Sequence, residues 1–414
     1  MIGQLGSVAV AGVGLAGKFS SIYSVVVSAI GAVAGIMISQ YMGQEKQKEV
    51  RRSFFVNLGV AGMLAVFFTL LCVLFSTPIM GIYSKDTETI KAAARYLLII
   101  AGTFLPIAGA TLLSTLFRCM EKATIPLVAS MVAAVCNTVL NYVLIFGKLG
   151  FSEMGADGAA IATVVSQIAN VLIMFVVFLK YKDSLSTNSI SENAETVAPF
   201  QWKQYMDMLM PILACEFLWS LGENVYAVIY GRLGTDSCAA MTLINPIQGL
   251  MIGALCGLSQ AASVIIGKKL GNREYDEAYE ASKKLIWYGL VGSLCLSLVI
   301  VLTSQLYVSI YQVEDVVKEL TKQILFAYAI VAPFKVLNMI LGGGIIRSGG
   351  KTKYVMFIDM IGTWGFGVPL GLLTAFVLKL SIPYVYFILS LEECVRFVIS
   401  LIVFRKKDWM QSLQ

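Results

Sequence analysis

Within a chain dominated by apolar residues, a few polar groups stand where they cost free energy, and these carry whatever chemistry it performs. Glu216 lies 13 residues after Lys203 and 15 before Gly231, in the middle of an apolar stretch. Glu223 follows two helical turns later on the same face. Lys335 lies 13 residues after Lys322 and 12 before Arg347, in a different stretch. An ionisable group at such depth is costly unless it is paired or lines a water-filled cavity. Glu216 and Lys335 stand at equal depth, so the sequence predicts that they pair. Two readings of that pair stay open: a structural ion pair, or a cavity site whose carboxylate exchanges a proton or a cation. Glu392, Glu393 and Arg396 cluster in the last stretch, and Glu392 with Arg396 has the i,i+4 spacing of a pair within one helix. Asp359 is only six residues from Lys353 and is expected near the membrane boundary.

Uncharged polar residues form a second set. Asn137 and Asn141 are i,i+4 in the middle of one apolar stretch, and Thr163 and Gln167 share a face of the next. Amides and hydroxyls at this depth hold helices together. They are also oxygen ligands for a cation and hydrogen-bond partners for a protonated acid.

The elements that position these residues follow from composition. Of 414 residues, 58% are hydrophobic and only 14% charged, against roughly 25% charged in a soluble domain. Eleven apolar stretches run over 8–39, 53–77, 95–116, 124–146, 157–179, 206–230, 237–267, 285–310, 323–346, 354–378 and 383–404. A bilayer core needs roughly 20 helical residues per crossing, and none of the stretches alternates as a strand does. The expected fold is therefore an all-α polytopic membrane protein. With no histidine in the chain, histidine catalysis, histidine proton relays and most zinc sites are excluded. The eight cysteines form no CxxC pair and read as small core residues. Neither an enzyme nor a bound cofactor or metal is expected.

Charge sets the orientation. Alternate loops carry twenty Lys and Arg on one side and eight on the other. The richer side is cytoplasmic by the positive-inside rule, which places the C-terminus inside and Met1 outside. Membrane topology thus accounts for the net charge of +6, and no nucleic-acid partner is expected. Residues 181–204, rich in Ser, Asn and Glu, read as a cytoplasmic linker between an N-terminal bundle, 1–180, and a C-terminal bundle, 205–414.

The two bundles are repeats. Residues 3–44 align without a gap on 231–272 at an offset of 228; Gly3, Leu5, Gly6, Gly43 match Gly231, Leu233, Gly234, Gly271. Pro106 matches Pro333, and Arg118 and Lys122 match Arg347 and Lys351. Equivalent loops fall on the same side, so the repeats are parallel. Six plus six spans are expected and eleven are present. The second half begins with a span ahead of Gly231, and its counterpart ahead of Gly3 is missing from this sequence, as a mis-assigned start or a truncation would produce.

Other motifs carry less. Gly349-Gly350-Lys351-Thr352 lacks the upstream glycine spacing and the strand of a phosphate loop, and reads as a tight basic turn. Gly249, Gly253 and Gly257, and Gly31 with Gly35, recur every four residues, the spacing of closely packed helices. Trp219, Tyr226 and Trp364 are candidates for cation–π contacts to a substrate.

The stretches "MIGQLGSVAVAGVGLAG", "FRCMEKATIPLVASMVAAVCNTVLNYVLIFGKLGFSEMGADGAAIAT" and "IIRSGGKTKYVMFIDMIGTWGFGVPLGLL" resemble the multidrug and toxic compound extrusion (MATE) family, and the resemblance extends over essentially the whole chain. It implies two six-helix bundles in a V, working as a monomer in the plasma membrane. It further implies antiport: export of organic cations or other amphipathic small molecules in exchange for H+ or Na+. Asn137 and Asn141 match a polar pair of the family's fifth helix, although many members carry Asp where Asn141 stands. Thr163 resembles a sixth-helix Thr near that site. Glu216 and Lys335 fall in helices where some members carry acids, and the family's first-helix Asp has no counterpart here. The expected ion-coupling set is therefore Glu216, Lys335 and Glu223, with Asn137, Asn141 and Thr163. The alternatives are a flippase for a lipid-linked saccharide from the same superfamily, a transport-inactive truncated chain, and a membrane scaffold or receptor.

Overall fold

The computed structural model describes residues 7–181, 200–311 and 313–413. Among them the chain is all helical, without a strand. Eleven helices occur in order: α1 Ser7–Gly43, α2 Gln47–Tyr83, α3 Thr87–Cys119, α4 Thr124–Phe146, α5 Gly155–Tyr181, α6 Trp202–Arg232, α7 Thr235–Gly271, α8 Tyr275–Ser309, α9 Asp315–Ile346, α10 Thr352–Val377 and α11, residues 382–406. The first ten are long and apolar enough to cross a membrane. The eleventh stretch folds as two shorter helices, Ile382–Ser390 and Glu392–Lys406, meeting at Leu391. Most helices run several residues past their apolar cores, because polar first and last turns remain helical outside the hydrocarbon. Residues 202–204 of the expected linker are accordingly the first turn of α6, Tyr181 ends α5, and 182–199 lie outside the described residues.

Two compact units emerge. Among the described residues one holds 7–38 and 45–181, the other 39–44 and 200–413. In the first unit α2 packs on α3, α4 on α5 and α3 on α5. In the second α8 packs on α9, α10 on α11 and α9 on α11. The contact pattern thus repeats at the spacing of the sequence repeat.

Prolines act differently at equivalent places. In α2, Pro78 cannot donate to Leu74, and the helix leaves its regular path at Phe75 (φ −127°, ψ 20°). In α3, a short tight turn at Ala101–Thr103 precedes Pro106. Its equivalent, Pro333, sits in regular helix, and the irregularity comes later, as a π-helical segment over Met339–Ile346. Two further π segments, Ile361–Gly367 and Leu373–Val377, interrupt α10.

The glycine repeats divide. A Cβ on Gly31 would collide with Thr111, and one on Gly35 would touch Thr115, so this pair lets α1 and α3 approach closely. A Cβ on Gly249, Gly253 or Gly257, also expected to pack a helix, would meet no described atom within 4 Å beyond its own helix. The close crossing in the second unit is made instead by the repeat-matched Gly43 and Gly271, which face the backbone of Lys268 and Gln40.

The C-terminal segment folds back onto the second unit. Trp409 is fully buried, its indole N–H donating to the Phe404 carbonyl at 3.1 Å. Gln40 Nε2 donates to the Ser348 carbonyl at 2.6 Å, and Gln40 Oε1 accepts from the Leu413 amide at 2.6 Å.

Candidate functional site

The second unit contains a cavity of about 250 Å³ between α6, α7, α9 and α11. Three carboxylates line it: Glu223, Glu392 and Glu393, the last two only 5% and 6% exposed. Lys335 reaches the same cavity and, among the described residues, makes no ion pair. Tyr226, Tyr230, Tyr328 and Tyr386 supply the aromatic wall.

Helix periodicity builds this arrangement. On α6, Glu223, Tyr226 and Tyr230 are spaced i, i+3, i+7 and share a face. On α11, the meeting of the two helices at Leu391 puts Glu392 and Glu393 on the first turn of the second one. The Tyr226 hydroxyl donates to Glu392. Asn338 Nδ2 donates to Glu393 twice, to its carbonyl and to Oε2, each at 2.8 Å. Gln248 Nε2 donates to the Tyr386 hydroxyl at 2.9 Å.

Arg396 is the hub beneath the cavity. Its guanidinium lies 3.7 Å from Glu392, 3.7 Å from Glu393 and 3.8 Å from Asp359, and it donates to Thr363. The i,i+4 pair read from the sequence is present but is part of a larger network. Asp359, expected near the membrane boundary, accepts from the Cys215 thiol at 2.8 Å and faces Arg396. The π segment Ile361–Gly367 of α10 makes room for this network. A Cβ on Gly362 would collide with Arg396, and one on Gly367 with Glu392 and Tyr226.

The expected Glu216–Lys335 pair does not form. Glu216 Oε1 lies 3.7 Å from Nη1 of Arg347, at the end of α9, and Glu216 does not line the cavity. Equal depth along two helices left the rotation of each undetermined, and Arg347 has the reach to enter from the helix end. Glu223 and Lys335 do meet in one cavity. Of the candidate aromatics, Tyr226 lines it, whereas the Trp364 indole N–H donates to the Leu218 carbonyl at 3.2 Å and Trp219 is exposed outside it. Tyr230, Tyr328, Tyr386 and Gln248 were missed; the face shared by Glu223, Tyr226 and Tyr230 was the available signal.

In the first unit the uncharged set does come together. Asn141 Nδ2 donates to Asn137 Oδ1 at 2.9 Å, and Asn137 Nδ2 donates to Thr163 Oγ1 at 3.4 Å and to Ser166 Oγ at 3.3 Å. Among the described residues, Asn141 Oδ1 and Asn170 Oδ1 are buried acceptors without a hydrogen-bond partner. Gln167 is on the same helix but makes none of these bonds.

Membrane-length helices, a duplicated bundle and a charged cavity inside one bundle define a polytopic transporter. The chain belongs to the MatE family, whose family model matches residues 1–143 and 211–373, and it is a transporter of that multidrug efflux family. It is similar to an uncharacterized transporter, YisQ, from Bacillus subtilis, at 20% identity over all of this chain and 90% of the relative. It is 25% identical to a probable multidrug resistance protein, NorM, from Bacillus anthracis, over 82% of this chain and 74% of the relative. The fold matches the crystal structure of the Vibrio cholerae MATE transporter VcmN in its bent form. That match has a TM-score of 0.85 and 18% identity, over 98% of this chain and 90% of that one.

Proposed function

We propose that the chain is an antiporter of the plasma membrane that exports cationic or amphipathic small molecules in exchange for H+ or Na+, with its C-terminus in the cytoplasm. One observation carries this reading. Around the second unit's cavity, the carboxylates Glu223, Glu392, Glu393 and Asp359 outnumber the cations Lys335 and Arg396. An excess of carboxylate in a low-dielectric site is relieved by taking up a proton or a cation. Coupling requires that this uptake differ between the inward- and outward-facing states.

The cavity's size narrows the roles. Pockets for drug-sized ligands run from about 300 to 1,000 Å³, so about 250 Å³ suits an ion with its water or the charged end of a larger molecule. The tyrosines add ring faces for a cation. Several free arginines in the cleft would favour a flippase for a lipid-linked saccharide, whereas here Arg396 is held by three carboxylates. Asn137, Asn141 and Thr163 are the corresponding polar set of the first unit.

The test is efflux of a cationic dye panel from membrane vesicles under separately imposed H+ and Na+ gradients. Efflux that follows one of the gradients supports antiport. Efflux indifferent to both removes it.

A further inference from the structure

A second, larger cavity lies at the other end of the second unit. It measures about 820 Å³ and opens where α6 begins at Trp202 and α10 begins at Thr352. Among the described residues its charged lining is Lys203, Lys351 and Lys353 with the acid Asp207. Among the described residues Lys203 and Lys351 make no ion pair, and Lys353 meets only Asp207, at 3.5 Å with both side chains more than half exposed. Such an exposed pair is worth little and is easily exchanged. Both helices start without a side-chain cap, so their first-turn amides add two positive dipole ends to the same space. Thr352 fixes the geometry by donating to the Met208 carbonyl at 3.0 Å. Gly350, at φ +75°, turns the chain into α10.

The cavity opens at the lysine-bearing first turns of two membrane-length helices. α6 has 31 residues and the helix from Thr352 has 26. At 1.5 Å per residue both exceed a hydrocarbon core of about 30 Å, so their first turns stand at headgroup level. An apolar track leads away from the cavity along each helix. On α6 it is Trp202, Met206 and Met210, at i, i+4, i+8, which are 54%, 43% and 56% exposed. On α10, which packs against α6, it is Tyr354, Phe357 and Ile361. A soluble phosphate would use the cations alone; only a molecule with an anionic head and apolar chains uses both the cations and the tracks.

We propose that this cavity is a binding site for an anionic phospholipid, its phosphodiester on Lys203, Lys351 and Lys353 and its acyl chains along the exposed faces of α6 and α10. The basic turn Gly349-Gly350-Lys351-Thr352 is then a lipid-headgroup turn, a role distinct from the one proposed for the carboxylate cavity.

Native mass spectrometry of the purified full-length protein tests this, with phosphatidylglycerol and phosphatidylcholine of identical chains as probes. Phosphatidylglycerol is expected to be retained at least about 10-fold more strongly than phosphatidylcholine. The triple variant Lys203→Gln/Lys351→Gln/Lys353→Gln loses that preference. The triple Lys→Arg variant keeps it, which separates loss of charge from loss of fold, and Lys283→Gln/Lys284→Gln keeps it as a control for general charge. Equal retention of the two lipids, or an unchanged preference in the triple Gln variant, overturns the site. Displacement of phosphatidylglycerol by millimolar inorganic phosphate overturns the lipid assignment and leaves a free-phosphate site. Loss of preference in the triple Arg variant as well overturns the charge-based recognition.

Discussion

Glu216 Oε1 lies 3.7 Å from Nη1 of Arg347, with the two side chains 31% and 14% exposed. This pairing sets Glu216 apart from the carboxylates that line the cavity. Breaking a buried ion pair from one side costs about 3–5 kcal/mol, and the partial exposure of Glu216 lowers the expectation to about 1–3 kcal/mol. Glu216→Gln therefore lowers the thermal midpoint of the detergent-solubilised protein while leaving the ion dependence of efflux unchanged. The double variant Glu216→Leu/Arg347→Leu regains most of the lost stability, because no charge is left buried alone. A change of coupling ion or stoichiometry in Glu216→Gln would return this residue to the transport site.

Glu392 behaves oppositely. It is nearly buried, accepts from the Tyr226 hydroxyl and lies 3.7 Å from Arg396. Glu392→Gln keeps its shape but cannot exchange a proton or balance a cation. Gradient-driven dye efflux in vesicles is expected to fall at least about 10-fold at equal protein level. A hydrogen bond to a charged group is worth about 1.5–3 kcal/mol, so Tyr226→Phe gives a smaller loss in the same assay. Wild-type efflux by Glu392→Gln would sink the proposed coupling role.

Outside the membrane spans, Asp86 caps the start of α3. Its Oδ2 accepts from the Thr89 amide at 3.0 Å and from the Thr89 hydroxyl at 2.5 Å. These bonds, the hydroxyl's first, hold the Asp86 carboxyl below its ordinary value of 3.8. A carboxylate with a depressed folded value contributes stability above its unfolded value and loses it as pH falls through the folded one. The protection of the Thr89 amide against hydrogen exchange, taken relative to its intrinsic rate at each pH, should thus hold down to about pH 4 and fall below it. Asp86→Ala should exchange fast at neutral pH, with the pH step gone.

The helices were legible in the sequence because each apolar run is as long as a bilayer is thick, and the repeat was legible because Gly43/Gly271 and Pro106/Pro333 hold one register. The pairings were not. Counting residues gives the depth of Glu216 and Lys335 but not the direction each side chain faces. The π segment Met339–Ile346 precedes Arg347, and each residue inserted into a helix rotates the remainder of that helix by about 100°. A regular helical wheel therefore misplaces Arg347 and the residues of α10 after Ile361. Asn137, Asn141 and Thr163 did meet, because α4 and α5 are regular where they carry them.

Gly367 and Gly253 put the π segment to the test. Both are helical glycines in the second unit, but a Cβ on Gly367 would enter the space of Glu392 and Tyr226, and one on Gly253 meets no described atom within 4 Å beyond its own helix. Overpacking a filled site costs about 1–3 kcal/mol. Replacing an unconstrained helical glycine by alanine instead stabilises by roughly 0.5–1 kcal/mol. Gly367→Ala is expected to lower the thermal midpoint and to depress efflux, since the side chain it displaces is Glu392. Gly253→Ala is expected to match or exceed the wild-type midpoint. Should both variants melt alike, the close approach of α10 to the carboxylate network is not what shapes the cavity, and the case for Glu392 as its centre weakens with it.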